Sequence, residues 1–203
     1  MKIGIPFMIR NLFLLAAVLF ITACVPSINL KSNELPQSKN LNAMVVVGEI
    51  KDLRDKSEGG GDFSKFGKLR GGFGNPVSIK AAKGKELDTS LRAAVGAALM
   101  NTGYRNVSAT EKNAPLRLET QVLSFWCDGY VGYKVNAVVL VRLVNNKTGA
   151  LVAEKKITAS RGFALVMGYG PMHSAFNDVL NQVVSELVDF LKTDKVRTAA
   201  RSS

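Results

Sequence analysis

The stretch from Tyr133 to Val144 constrains the fold more than any other part of the chain. Val135, Ala137, Val139, Val141 and Leu143 alternate along one face, and Val138 and Leu140 make its middle apolar on both faces. Alternation with period two marks a β-strand with one buried face, and a strand apolar on both faces belongs inside a sheet. It is expected as the central strand. The polar turn Asn145-Asn146-Lys147-Thr148-Gly149 leads into a further strand from Leu151 to Thr158, which predicts a hairpin. Leu116 to Val122 alternates in the same way, and the β-branched run Met44-Val45-Val46-Val47 through Ile50 reads as a buried first strand of the core.

Two helical stripes accompany the strands. Leu87, Leu91, Val95 and Leu99 recur every four residues, Asp88 falls in the first turn, and Asn101-Thr102-Gly103 ends the segment with a glycine terminator. Phe176, Val179, Leu180, Val183, Val184, Leu187, Val188 and Leu191 step by three and four. These elements predict an α+β fold. It is a two-layer sandwich with a mainly antiparallel sheet of about four strands and two helices on one face, in the order β-α-β-β-β-α. With 203 residues, 47% of them hydrophobic, the chain suits one domain, and no fixed-period repeat is visible.

The N-terminus has a different grammar. Lys2 and Arg10 precede an unbroken apolar run from Leu12 to Ile21, which is shorter than the ~20 residues a membrane-spanning helix needs. A basic start, a short apolar run and small residues before a cut point are the parts of a secretory signal peptide, here residues 1–23. Ile21-Thr22-Ala23-Cys24 resembles the lipobox of bacterial lipoproteins. That resemblance implies cleavage before Cys24 and a diacylglycerol on its thiol, with a further acyl chain on the new amine. Val25 stands where an aspartate would signal retention at the inner membrane, so the resemblance implies the outer membrane, facing the periplasm. Residues 24–42, with Pro26 and Pro36 among Ser, Asn and Lys, are expected as a lipidated tether, 43–192 as the periplasmic domain, and 193–203 as a frayed basic tail.

Charge narrows the partners. The formal net charge is +11, and loss of Lys2 and Arg10 with the signal peptide lowers it to +9. A basic protein in the envelope is drawn to anionic glycans and lipids, so besides the membrane that holds its anchor the expected partner is an envelope protein or an anionic glycan or lipid, and nucleic acid is not expected there. Residues 51–75 are rich in glycine, and neither a phosphate-binding loop nor a calcium loop can be laid over them, so this stretch is expected to be a long solvated loop. Phe63, Phe66 and Phe73, interleaved with Lys68 and Arg70, are nevertheless candidates for a partner-binding surface, as are Trp126 and Tyr130 near the turn at Asp128-Gly129.

Catalytic machinery is sparse. With Cys24 acylated, Cys127 is the remaining cysteine and His173 the single histidine, a pair that counting makes nearly inevitable. Cys127 is expected as a small hydrophobe at a strand end, and His173 as a side chain near a helix start. No metal site, cofactor or enzyme activity is expected.

The chain as a whole resembles small outer-membrane lipoproteins of the YajG type. The resemblance rests on the lipobox, the strand with its Asp-x-Arg continuation from Val45 to Arg54, the helix end Leu99-Met100-Asn101-Thr102-Gly103-Tyr104, and the meander with a final helix. It implies a non-enzymatic envelope protein that acts as an interaction or structural module. The alternative is a lipid- or lipopolysaccharide-binding accessory of an envelope transport or assembly system, which would need an apolar cleft between helices and sheet.

Overall fold

The computed structural model describes residues 26–38, 41, 43–70, 76–108, 110, 111, 113–129, 133–164 and 169–201. Its strands are β1 (Ser27–Ile28), β2 (Met44–Asp52), β3 (Lys65–Arg70), β4 (Pro76–Ala81), β5 (Arg105–Val107), β6 (Leu116–Gly129), β7 (Tyr133–Asn145) and β8 (Leu151–Phe163). The helices are α1 (Leu87–Asn101), α2 (Gly170–Leu191) and α3 (Asp194–Arg201), with a short 3-10 turn over Lys56–Glu58.

The expected sheet of four mainly antiparallel strands is overturned. Among the described residues eight strands form one mixed sheet accompanied by three helices, and four of the seven strand pairings are parallel. The extra strands are short, from two to six residues, so they hold too few alternations to be read from pattern alone. Long-range pairing, not local sequence, makes them strands.

The middle of the sheet is β6. Along one edge it pairs antiparallel with β7, which continues to β8 through the expected hairpin. At that hairpin Gly149 takes φ 71°, and Asn145 accepts the N–H groups of Lys147 and Thr148 on its side chain. The other edge of β6 is divided. Its first half, Leu116 to Val122, pairs parallel with β2, and its far end, Cys127 to Gly129, pairs parallel with β3. Beyond β2 lies β5, and beyond β3 lie β4 and β1.

The gap between β2 and β3 is filled by one side chain. Arg54 follows β2 with its side chain fully buried, and the edge carbonyl of Phe125 would otherwise face that gap. The guanidinium donates to Asp52 through Nε (2.8 Å) and Nη2 (2.9 Å), and also to the carbonyls of Lys65 (2.8 Å), Asp62 (2.9 Å), Gly59 (3.3 Å) and Phe125 (3.4 Å). All five N–H donors are thereby used, which is the condition for burying a charge at tolerable cost. Gly60 allows the chain to fold back over this point, because a Cβ there would lie 2.0 Å from the Arg54 carbonyl oxygen.

The core lies between one face of the sheet and helices α1 and α2. Leu91, Val95, Leu99, Phe176, Val179, Leu180 and Val183 are all buried against Val45, Leu118, Val122, Val135, Val139 and Ile157. α1 ends as expected, with Gly103 at φ 90° and the Thr102 hydroxyl donating to the carbonyls of Ala98 and Leu99. Tyr104, just beyond it, is buried and donates its hydroxyl to the Leu191 carbonyl at the end of α2.

Three further expectations differ from the structure. Part of the stretch expected as a solvated loop is strand β3, whose Phe66 is fully buried, with Phe125 and Phe176 at 5.5 and 5.6 Å between ring centroids. Gly67 is what permits β3 to approach β6, since a Cβ there would sit 2.2 Å from the Cys127 carbonyl oxygen. Residues 26–38, expected as a tether, lie docked on the domain, with Ile28 and Leu30 buried and the N–H groups of Lys31 and Asn33 donating to Asn177 and Asn181 on α2. The tail expected to fray forms α3, which buries Val196 and Ala200 one turn apart.

Replacing Arg54 by Met should cost about 3–5 kcal/mol, because Asp52 would be left with a buried, uncompensated charge. Burial raises the pKa of Asp52, but the hydrogen bonds and charge of Arg54 and the N–H of Gly61 outweigh it and hold the carboxyl below its ordinary 3.8. The carboxylate therefore adds stability above about pH 4 and loses it as the pH falls through the folded value. Urea midpoints at pH 7 and pH 3 should show Asp52→Asn weakening the protein at pH 7 and shrinking its loss at pH 3.

Candidate functional site

The face of the sheet opposite the helices carries an open trough over β3. It begins at the turn after β2. The Asp55 carboxylate accepts the N–H (2.7 Å) and hydroxyl (2.6 Å) of Ser57, capping the 3-10 turn, and the hydrogen bonds to Ser57 lower the pKa of Asp55. Glu58 accepts the Ser124 hydroxyl at 2.8 Å, which pins the turn to β6. Gly59 closes the turn at φ 81°, and its missing side chain lets the edge of the Trp126 ring lie beneath. Trp126 is 9% exposed and forms the apolar floor.

Around this floor stand Lys56 from the turn and Lys65 and Lys68 from β3, with the hydroxyls of Ser57 and Ser78. The depression measures about 260 Å³, and no carboxylate lines it. A neighbouring depression of about 400 Å³ shares Trp126 and Lys68 and adds Glu58, Arg70, Asp128 and Asn136. There Arg70 grips Asp128 with two hydrogen bonds, at 3.0 and 3.2 Å, and these bonds raise the pKa of its guanidinium. The first depression thus carries three lysines, of which Lys65 is ion-paired with Asp62 at 3.4 Å, while the second is lined by charges of both signs. Lysine ammonium groups act as compact point charges, so the first suits a phosphate or carboxylate beside an apolar or ring surface.

The structure divides the residues that the sequence singled out. Lys68, Arg70 and Trp126 come together at the trough. Phe66 faces the core on the other side of the sheet, so its expected part in a partner surface is corrected. Phe63 is half-buried, packing on the core with its ring centroid 5.9 Å from the Arg54 guanidinium. Cys24, Phe73 and Tyr130 lie outside the described residues. Lys56, Lys65 and Ser78 were not anticipated. Each is unremarkable in its own segment, and only the strand pairing brings the three together.

Cys127 belongs to the helix-side core, not to the trough. Burial, followed by the charge of Asp128, pushes its thiol up to about 12, so a thiolate nucleophile is disfavoured at neutral pH. The cleft required by a lipid carrier would lie between helices and sheet, where Leu91, Leu99, Val179 and Leu180 are packed at 0–2% exposure. That packing counts against the carrier reading. Among the described residues no group of three or more potential metal-ligating side chains is found, and no helix is long and apolar enough to cross a membrane.

No protein-family model matches the chain, and no curated protein does. Solved structures do. Protein XCC0632 from Xanthomonas campestris, of family DUF330, is similar at 17% identity with a TM-score of 0.59, over 87% of this chain and 96% of that one. A protein described as a homolog of a neuraminyllactose-binding hemagglutinin, from Helicobacter pylori, is similar at 14% identity with a TM-score of 0.51, over 88% and 97% of the two chains. Lipoprotein GNA1162 from Neisseria meningitidis matches at 12% identity with a TM-score of 0.44, over 73% and 97%. The first two likenesses establish a shared fold.

Iodoacetamide at pH 8 should leave Cys127 unmodified in the folded protein and alkylate it fully in 6 M guanidinium, as read by intact mass. Rapid labelling of the folded chain would contradict its place in the core.

Proposed function

We propose that this protein is a lipid-anchored, non-enzymatic interaction module of the bacterial envelope, held at Cys24 on the outer membrane and facing the periplasm, and that the Trp126 trough is its binding surface. The observation that carries the reading is the meeting of Lys56, Lys65 and Lys68 around the single tryptophan of the chain, with no carboxylate in the lining. Asp62 already lies 3.4 Å from the Lys65 ammonium, and an anion seated among the three lysines would offset the repulsion that remains between them. The lipobox and the YajG-type resemblance supply the anchor and the compartment. A mature charge of +9 supplies a general pull toward anionic envelope components.

Two acyl chains at Cys24 would bury enough methylenes for effectively permanent attachment, at about 0.8 kcal/mol each. Cys24→Ser should therefore move the protein from the membrane fraction to the soluble periplasm, and intact mass should show the wild-type chain cut before residue 24 and carrying lipid. An unmodified, uncut wild-type chain would sink the anchoring reading. Lys65→Gln with Lys68→Gln should leave the membrane fraction unchanged while lowering retention of the detergent-extracted protein on a phosphorylated matrix at low salt. Retention equal to wild type would sink the reading of the trough.

A further inference from the structure

Resting on the reading of Cys24 as the lipid attachment point, we infer that the trough is turned toward the bilayer that holds the anchor, and that its ligand is the anionic headgroup layer of that bilayer. Pro26 is buried, and its carbonyl accepts the N–H of Lys80 at 3.2 Å, while the Ile28 carbonyl accepts the N–H of Ala82 at 2.7 Å. From Pro26 to Ile28 the chain is fixed to β4. Cys24 stands two residues earlier, and two residues of extended chain reach about 7 Å. A body held this closely cannot swing free on a tether. The sheet edge formed by β1 and β4 must lie at the membrane surface.

The groups at that edge suit an anionic layer. Lys80 on β4 lies directly opposite Lys65 on β3, and both are exposed. Like charges opposite one another across a strand pair are destabilising; Asp62, 3.4 Å from the Lys65 ammonium, offsets part of that repulsion, and an external anion near both lysines would offset the rest. Lys68 stands opposite Ser78 on the same pair of strands. The trough over β3 lies two strand spacings from β1, about 10 Å, so anchor, paired lysines and Trp126 share one end of the sheet. An acyl anchor joined to a basic patch is a pairing that holds proteins on membranes, and near an anionic surface each lysine multiplies affinity roughly fivefold.

The test uses the mature chain from residue 24 in two forms. In the first, Cys24→Ser protein without lipid is mixed with vesicles of phosphatidylcholine alone or with three-tenths phosphatidylglycerol. Binding is expected to the second only, to vanish in 0.5 M NaCl, and to fall about a hundredfold in K65Q/K68Q/K80Q. The distant triple K147Q/K192Q/K195Q, equal in charge change, should retain most of the binding. Absence of binding to the anionic vesicles, or an equal loss in both triples, would overturn the proposal. In the second form, acylated protein is placed in the anionic vesicles with a headgroup-nitroxide lipid, which should quench Trp126, the single tryptophan. Unquenched emission would place the trough away from the bilayer and overturn the proposal even where Cys24 is acylated. An intact mass showing Cys24 unmodified in cells would instead remove the anchoring reading and with it this orientation.

Discussion

Arg54 and Asp52 hold the two halves of the sheet together. The β6 strand is longer than either neighbour on its second edge, so β2 must leave and β3 must join partway along it. A change of partner strands unpaired carbonyls in the interior, where each would cost about 1–3 kcal/mol. The guanidinium is the one side chain with enough donors, in a flat fork, to satisfy carbonyls from β6, from β3 and from the segment joining β2 to β3 at once. Asp52 then keeps the charge paired, and its second oxygen also accepts the N–H of Gly61. The Asp-x-Arg sequence after a buried strand is therefore a structural device in this fold.

That device also creates the trough. With Arg54 fixed, the chain from Asp55 to Asp62 must wrap round it, and the short turn over Lys56–Glu58 is set above β6 and beside β3. The turn forms one wall, β3 the base and Trp126 the floor. Packing on the opposite face has a different character. Phe66, Phe125 and Phe176 fill the space between sheet and α2, so neighbouring residues of β3 serve two purposes, with Phe66 directed to the core and Lys68 to the open face. Phe66 and Lys68 are two residues apart and would share a face in a regular strand; the register shift between Lys65 and Gly67 turns them to opposite faces and separates stability from binding.

Much of the meander and both long helices was legible, because their apolar residues repeat often enough to reveal a period. β7 shows it over thirteen residues and α2 over twenty-two. The tract after β2 was misread because its glycines suggested solvent, although Gly60 and Gly67 are there for close backbone approach. The docked N-terminal segment did carry a signal, since Ile28 and Leu30 alternate with Ser27 and Asn29, but two apolar residues between prolines are too few to outweigh the polar surroundings. Of the candidate site, Lys68, Arg70 and Trp126 were identified, and Phe66 was assigned to the wrong face.

By itself, the sequence determined the hairpin of β7 and β8, the two amphipathic helices and the burden of positive charge, since each depends on residues near one another in the chain. The tertiary structure alone decided the parallel joining of β2 and β3 to β6, the docking of residues 26–38 and the gathering of Lys56, Lys65 and Ser78 round Trp126. These depend on pairing between strands far apart in the chain. Nothing in a local window encodes which edge a short strand will join until the long strands have offered one.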